Sequence, residues 1–215
     1  MHTDINIVKK WAAENGIDVS DTQLLMLEQH QSCVLETNKH MNLTTITNPR
    51  DFAVKHIIDS LTLLPYIPLG VRLADIGTGA GFPGLAIAIM REDLHVTLID
   101  SLRKRVFFLQ KTVDVLGLTN VECIHTRAED LARGGVGYDI CTARAVARMD
   151  RLAKWVLPIT KEGGTFLAMK STDVFVELSE AQLVIKKLGG VVKRVDTIEI
   201  SPGLSHCIVV VEKIN

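Results

Sequence analysis

The 215-residue sequence holds four cysteines, Cys33, Cys123, Cys141 and Cys207, and no two of them form a CxxC pair. That spacing excludes a zinc ribbon or a thioredoxin-type redox centre; no metal site is expected, and packed, reduced thiols are. No apolar run approaches the roughly 18 residues of a membrane span. The opening MHTDINIVKKWAAENG lacks the apolar stretch and small-residue cleavage site of a secretory signal, so a cytoplasmic location is expected. Charge of one sign is also lacking. The 24 Lys and Arg face 25 Asp and Glu, a net charge of −1. No overall basic field announces nucleic acid, and any such binding requires a local patch.

What is present is an alternation. Residues 1–45 read as a helical extension, with Ser20 and Gln23 at capping-box spacing and a partial apolar stripe of Leu24, Leu27 and Val34. Residues 46–215 read as a second unit in which, from residue 70, strand-like runs (RLADI, HVTLID, VECIH, DICTA, TFLAMK) alternate with helix-like segments. This is the pattern of an α/β, doubly wound sheet. VVKRVDTIEI and HCIVVVEKI are joined through Pro202-Gly203 with no helix between, which predicts a final antiparallel strand.

The stretch RLADIGTGAGFPGLAIAI, Arg72 to Ile89, reads as strand, glycine-dense turn and helix. It is not a triphosphate loop: Gly79 and Gly84 have the separation of GxxxxGK, but Leu85 stands where the lysine must be. A dinucleotide site wants GxGxxG, whereas Gly77, Gly79 and Gly81 form GxGxG and Phe82 occupies the sixth position. Asp75, expected at the rim of the turn, is unwelcome beside a pyrophosphate and suits a ligand with an ammonium group. S-adenosylmethionine has one, and no phosphate. Asp100 closes HVTLID, placed either to accept ribose hydroxyls or to cap the helix that follows Ser101. Glu129, beside Ala128, either borders the adenine or is a solvated acid at a helix start.

With NLTTI, KHIIDSL, DIGTGAGFPG, IDSLRKRVFFL, TARAV and AMKS in this order, the chain closely resembles the bacterial 16S ribosomal RNA guanine-N7 methyltransferases, the glucose-inhibited division protein B family. The resemblance runs from about Asn42 to the C-terminus. It implies a class I S-adenosylmethionine methyltransferase with a Rossmann-like sheet. Its substrate would be one guanine in the 530 loop of 16S rRNA, in the 30S subunit or its precursor, and a monomer suffices. Carried over by position, Gly77 and Phe82 contact the cofactor, the backbone of Ala128 and Glu129 faces its adenine, and Arg144 lies at the mouth. His56, Asp59 and Ser60 match a signature beside that mouth. Lys55 stands where the family usually has Arg, which keeps the charge and loses the two-pronged fork. Ser171 and Ser205 replace a usual Gly and Arg.

The chemistry agrees with the resemblance by what is missing. No NPPY-like motif follows the fourth strand, and Cys141 has no neighbouring Pro to mark a nucleophile for pyrimidine methylation. Guanine N7 already offers a lone pair at neutral pH, so positioning can carry the reaction and no general base is nominated. His56, Asp59 and Arg144 are the positioning candidates; a hydrogen-bonded histidine near a helix start is the plainer reading of His56. At 100° per residue, a helix running on from TARAV brings Arg144, Arg148, Arg151 and Trp155 within about 60° of one another. That face is either a phosphate-binding stripe or a solvated surface around a half-buried Trp. Lys170 and Lys55 are further candidates for RNA, and Arg103, Lys104 and Arg105 form a second basic cluster. Arg144→Ala is expected to reduce turnover greatly with little loss of fold. Two other classes stay open: a nicotinamide-dependent oxidoreductase using Asp100, and a non-catalytic RNA-binding module.

Overall fold

The computed structural model describes residues 4–132, 135 and 137–214. Seven strands form one sheet in the order β3-β2-β1-β4-β5-β7-β6. β1 (Arg72–Ile76), β2 (His95–Asp100), β3 (Val121–His125), β4 (Tyr138–Arg144) and β5 (Thr160–Lys170) are parallel neighbours. β7 (Leu204–Lys213) runs antiparallel between β5 and β6 (Gly190–Ser201), closed by the turn at Pro202-Gly203. The sequence pattern anticipated both features. Leu73, Ala74, Val96 and Leu98 are buried, as strands covered on both faces must be. The chain passes from β1 to β2 and β3 on one side, then returns to place β4 on the other. Ligands of open α/β sheets bind at such a reversal, outside the carboxyl ends of the strands.

Two apolar layers sandwich the sheet. α1 (Ile5–Glu14), α2 (Asp21–Asn38), α5 (Gly84–Met90) and α6 (Arg103–Leu116) cover one face, and α8 (Met149–Val156) and α9 (Val174–Lys187) the other. The expected capping box starts α2: Gln23 N–H donates to Ser20 Oγ (3.1 Å), and Ser20 N–H donates to Gln23 Oε1 (2.9 Å). Gln23 Nε2 also donates to the Met90 carbonyl (3.1 Å), tying α2 to the end of α5. The stripe of Leu24, Leu27 and Val34 faces the same core as Phe52, Leu85 and Ile87, and His30 is buried with it.

Residues 49–61 fold as one continuous helix with a wide-turn centre. α3 (Pro49–Phe52), capped by the Asn48 side chain, runs into a π-helical stretch, Ala53–Ile58, and then α4 (Asp59–Leu61). Such i→i+5 turns occur mostly as local bulges at functional sites, and this one carries Lys55 and His56. The helix expected to run on from TARAV does not form there. Arg144 ends β4, Ala145 turns the chain at φ 53°, and α8 begins only at Met149. The four-residue stripe is therefore not one helical face, because its first member belongs to the sheet.

Candidate active site

Two cavities open where the parallel strands end, and they meet at Gly77. The larger, about 550 Å³, is lined by His56, Asp59, Phe82, Arg144, Lys170 and His206 together with the glycine turn. The smaller, about 270 Å³, is lined by Asp100, Ser101, Ala128 and Glu129, with Val146 and Trp155 among its apolar walls.

The turn between them needs its glycines. Gly77 and Gly79 sit at φ 70° and 60°, in the left-handed region, and a Cβ on Gly77 would lie 2.7 Å from Val146 Cγ2. Asp75 is not at the rim. It is fully buried beneath the turn, where Oδ2 accepts the Gly84 N–H (2.8 Å) and Oδ1 accepts the Thr142 hydroxyl (3.1 Å). Burial pushes its pKa above the ordinary carboxylate range. It anchors the turn from below and lines neither cavity: it stands one residue short of the end of β1, and its carboxylate is turned to Gly84 and Thr142.

Asp100 does reach the smaller cavity. Its Oδ2 accepts the Gly79 N–H (3.1 Å) and its Oδ1 the Leu102 N–H (2.9 Å). α6 starts three residues beyond it, with Leu102 at the cap position, so Asp100 is not the helix cap. Each carboxylate oxygen has a further lone pair, which leaves acceptors for the hydroxyls of a ribose. Ile76, Ile99, Val146 and Trp155 form walls suited to a flat base, and Glu129 stands beside them in α7 (Ala128–Leu131). Together with the glycine cradle, these residues fit a nucleoside bearing an aliphatic substituent.

At the larger cavity a guanidinium joins three elements. Arg144 Nη1 donates to Asp59 Oδ2 (2.8 Å) and to the Lys55 carbonyl (3.0 Å), while Nη2 donates to His56 Nδ1 (3.1 Å). Arginine can only donate, so His56 Nδ1 is the acceptor and its Nε2–H is left to donate to Thr44 Oγ1 (2.8 Å). His56 is thus held neutral. Burial first, and the Arg144 charge second, lower its pKa to about 3. On its other side Asp59 accepts from His206 Nδ1 (2.5 Å). Burial acts to raise the Asp59 pKa, but the His206 hydrogen bond and the Arg144 charge outweigh it and hold Asp59 below the usual range.

The ring of Phe82 is stacked between two imidazoles, His56 at 5.0 Å and His30 at 4.5 Å between centroids. Arg144 Cζ lies 5.5 Å from the same ring, within cation–π range. The structure therefore brings His56, Asp59, Phe82 and Arg144 together, as the sequence implied. It adds His206, which sits in an apolar β7 run that reads as plain strand, and His30, which the sequence places on an apolar helix face.

The residues expected to meet RNA have protein partners of their own. Arg148 pairs with Glu180, and Lys55 with Asp51 (3.3 Å). Lys170 is largely buried, pairs with Glu177 (2.6 Å) and donates to the Ala147 carbonyl (3.0 Å). Arg151 lies over the Trp155 ring at 5.3 Å, and both residues line the smaller cavity. Cys141 is a core thiol whose pKa burial pushes up to about 12, which rules out a ready nucleophile. Among the described residues, no group of three or more His, Cys, Asp or Glu could hold a metal ion. No helix among them is long and apolar enough to cross a membrane.

Comparison with known proteins agrees with this geometry. The family described as rRNA small subunit methyltransferase G (GidB) matches residues 23–203. A protein of Desulforamulus reducens named ribosomal RNA small subunit methyltransferase G is 45% identical, covering 87% of this chain and 80% of its own length. One of the same name from Leuconostoc mesenteroides is 42% identical, covering 92% and 86%. Among solved structures, an SAM-dependent methyltransferase of Aquifex aeolicus shares the fold, with a TM-score of 0.57 at 20% identity over 76% of this chain and 93% of that one. A sheet reversal holding a glycine cradle and Asp100, with these relatives, places the chain in the rRNA small subunit methyltransferase G family as an S-adenosylmethionine-dependent methyltransferase.

Proposed function

We propose that the chain methylates N7 of one guanine in the 530 loop of 16S rRNA, in the cytoplasm, as a monomer acting on the 30S subunit or its precursor. One observation carries the choice of atom: the basic groups at the mouth are already engaged. His56 has one basic nitrogen, and Arg144 occupies it. Asp59 is shared between Arg144 and His206, and Lys170 is paired with Glu177. An exocyclic amine would have to lose a proton during methylation, whereas N7 attacks with a lone pair it already has. S-adenosylmethionine, when bound, supplies a methyl group on a positively charged sulfur.

In this reading Gly77, Gly79, Gly81 and Phe82 cradle the cofactor's middle, Asp100 and Ser101 hold the ribose, and Ala128 and Glu129 border the adenine. Arg144, fixed by Asp59 and His56, orients the guanine at the mouth. Its guanidinium lies over the Phe82 ring, 5.5 Å from the centroid, which helps to fix it there. Lys55, Arg148, Arg151 and Lys170 guide the RNA, with phosphates competing against Asp51, Glu180 and Glu177 for the three ion-paired cations. Arg103 and Lys104 start α6 beside Arg105, which lines the larger cavity, and extend the basic rim.

Methyl-labelled S-adenosylmethionine and 30S subunits from cells lacking this protein test the reading. Label should enter 16S rRNA at a single N7-methylguanine in the 530 loop, located by chemical cleavage. Label at another atom or another loop would overturn it.

A further inference from the structure

We propose that His30, on the N-terminal helix α2, is a positioning residue for the cofactor-binding turn. The inference rests on the reading that this turn holds S-adenosylmethionine. Among the described residues, side chains tie the turn's backbone at three points. Asp75 accepts from Gly84 N–H and Asp100 from Gly79 N–H, and both belong to the sheet. The third tie comes from outside the sheet: His30 Nε2 lies 2.8 Å from the Ala80 carbonyl. A carbonyl can only accept, so His30 is the Nε2–H tautomer and donates.

That assignment leaves His30 Nδ1 as a buried acceptor with no hydrogen-bond partner, on a side chain with no exposed surface. An aromatic hydrocarbon would fill the same space against Phe82 without burying an unsatisfied nitrogen. What the imidazole adds is the donor to Ala80. The approach is built for it: Gly81, at φ 94°, lies so close that a Cβ there would come within 3.1 Å of His30 Nε2. The same imidazole stacks on Phe82, which stacks on His56, so α2 braces both the turn and one ring of the mouth.

The turn needs such a brace because Gly77, Gly79 and Gly81 all adopt positive φ. Three glycines in five residues give the unbraced loop many conformations, and a ligand that binds it must pay for their loss. Holding Ala80 in advance lowers that cost, so His30 acts on cofactor affinity through the turn without touching the reacting atoms.

The test uses the full chain with His30→Phe, which keeps a stacking ring and deletes the donor, and His30→Gln, whose amide can again reach Ala80. Val34→Ala, on the same buried face of α2, is the control for loss of packing alone. Each folded protein is titrated with S-adenosylmethionine by calorimetry, and kcat and KM are measured on 30S subunits. His30→Phe should raise the dissociation constant and the cofactor KM about fivefold, the effect of one hydrogen bond, with kcat within about twofold. His30→Gln should recover most of the affinity, and Val34→Ala should leave it unchanged. A change below twofold in His30→Phe, an equal change in Val34→Ala, or no recovery in His30→Gln overturns the proposal. Failure of the unaltered protein to bind S-adenosylmethionine would instead sink the reading of the turn.

Discussion

Arg144 shows how one side chain serves geometry and stability together. Its fork spans Asp59 and His56, two groups on one helix, and joins them to the end of β4. Arg144→Lys keeps the charge but cannot make both contacts, so turnover should fall by at least about tenfold while the fold is retained. Arg144→Ala goes further than the sequence implied. With the side chains of Arg144 and Asp59 at 17% and 12% exposure, it strands a largely buried carboxylate with His206 alone. A stability loss of about 3 kcal/mol is expected, measured by chemical denaturation alongside methyl transfer. Gly77→Ala should also weaken S-adenosylmethionine binding by calorimetry, since the added methyl meets Val146 and the φ of 70° disfavours any L side chain.

At the scale of elements, the start of α2 acts beyond its own helix. Ser20→Ala removes one half of the capping box and should cost about 1 kcal/mol. Gln23→Ala should cost more, because Gln23 also donates to the carbonyls of Ile89 and Met90 at the end of α5. Comparing the two by urea denaturation separates the cap from the inter-helix tie; equal losses would show that the tie contributes nothing. The helix from Pro49 to Leu61 is the element least legible in the sequence. Its wide-turn centre packs against α1 and β6, and no local spacing marks such a turn. The stop before α8 was hidden for a related reason. RAVAR permits helix by propensity, and the turn at Ala145 is imposed by the close approach of Val146 to Gly77.

At the scale of the whole molecule, two neutral imidazoles buried in one stack set the response to acid. Burial lowers the His30 pKa to about 4, and burial with the Arg144 charge lowers that of His56 to about 3, both from 6.5. Below pH 6.5 the unfolded chain binds protons that the native state refuses, so stability falls as pH falls toward those values. By pH 5 each histidine should cost about 2 kcal/mol, and denaturation curves between pH 7.5 and 5 should show it. His30→Phe should remove about half of that slope. Asp59, lowered in the fold, adds its own loss only further down, through the ordinary carboxylate range near 3.8 and below.

The sequence by itself determined the alternation of strands and helices, the glycine turn, Asp100 at the end of β2 and the closing hairpin. Each is a local matter: period, turn chemistry or the spacing of a few neighbours along the chain. The tertiary structure alone decided that Asp75 lies beneath the turn and not at its rim, because strand register sets how deep a residue sits. It likewise joined Asp59, Arg144 and His206 from a helix and two separate strands, and brought His30 across 50 positions to Ala80. Contacts of that range depend on how layers pack, and packing is a property of the assembled core that no local stretch of sequence carries.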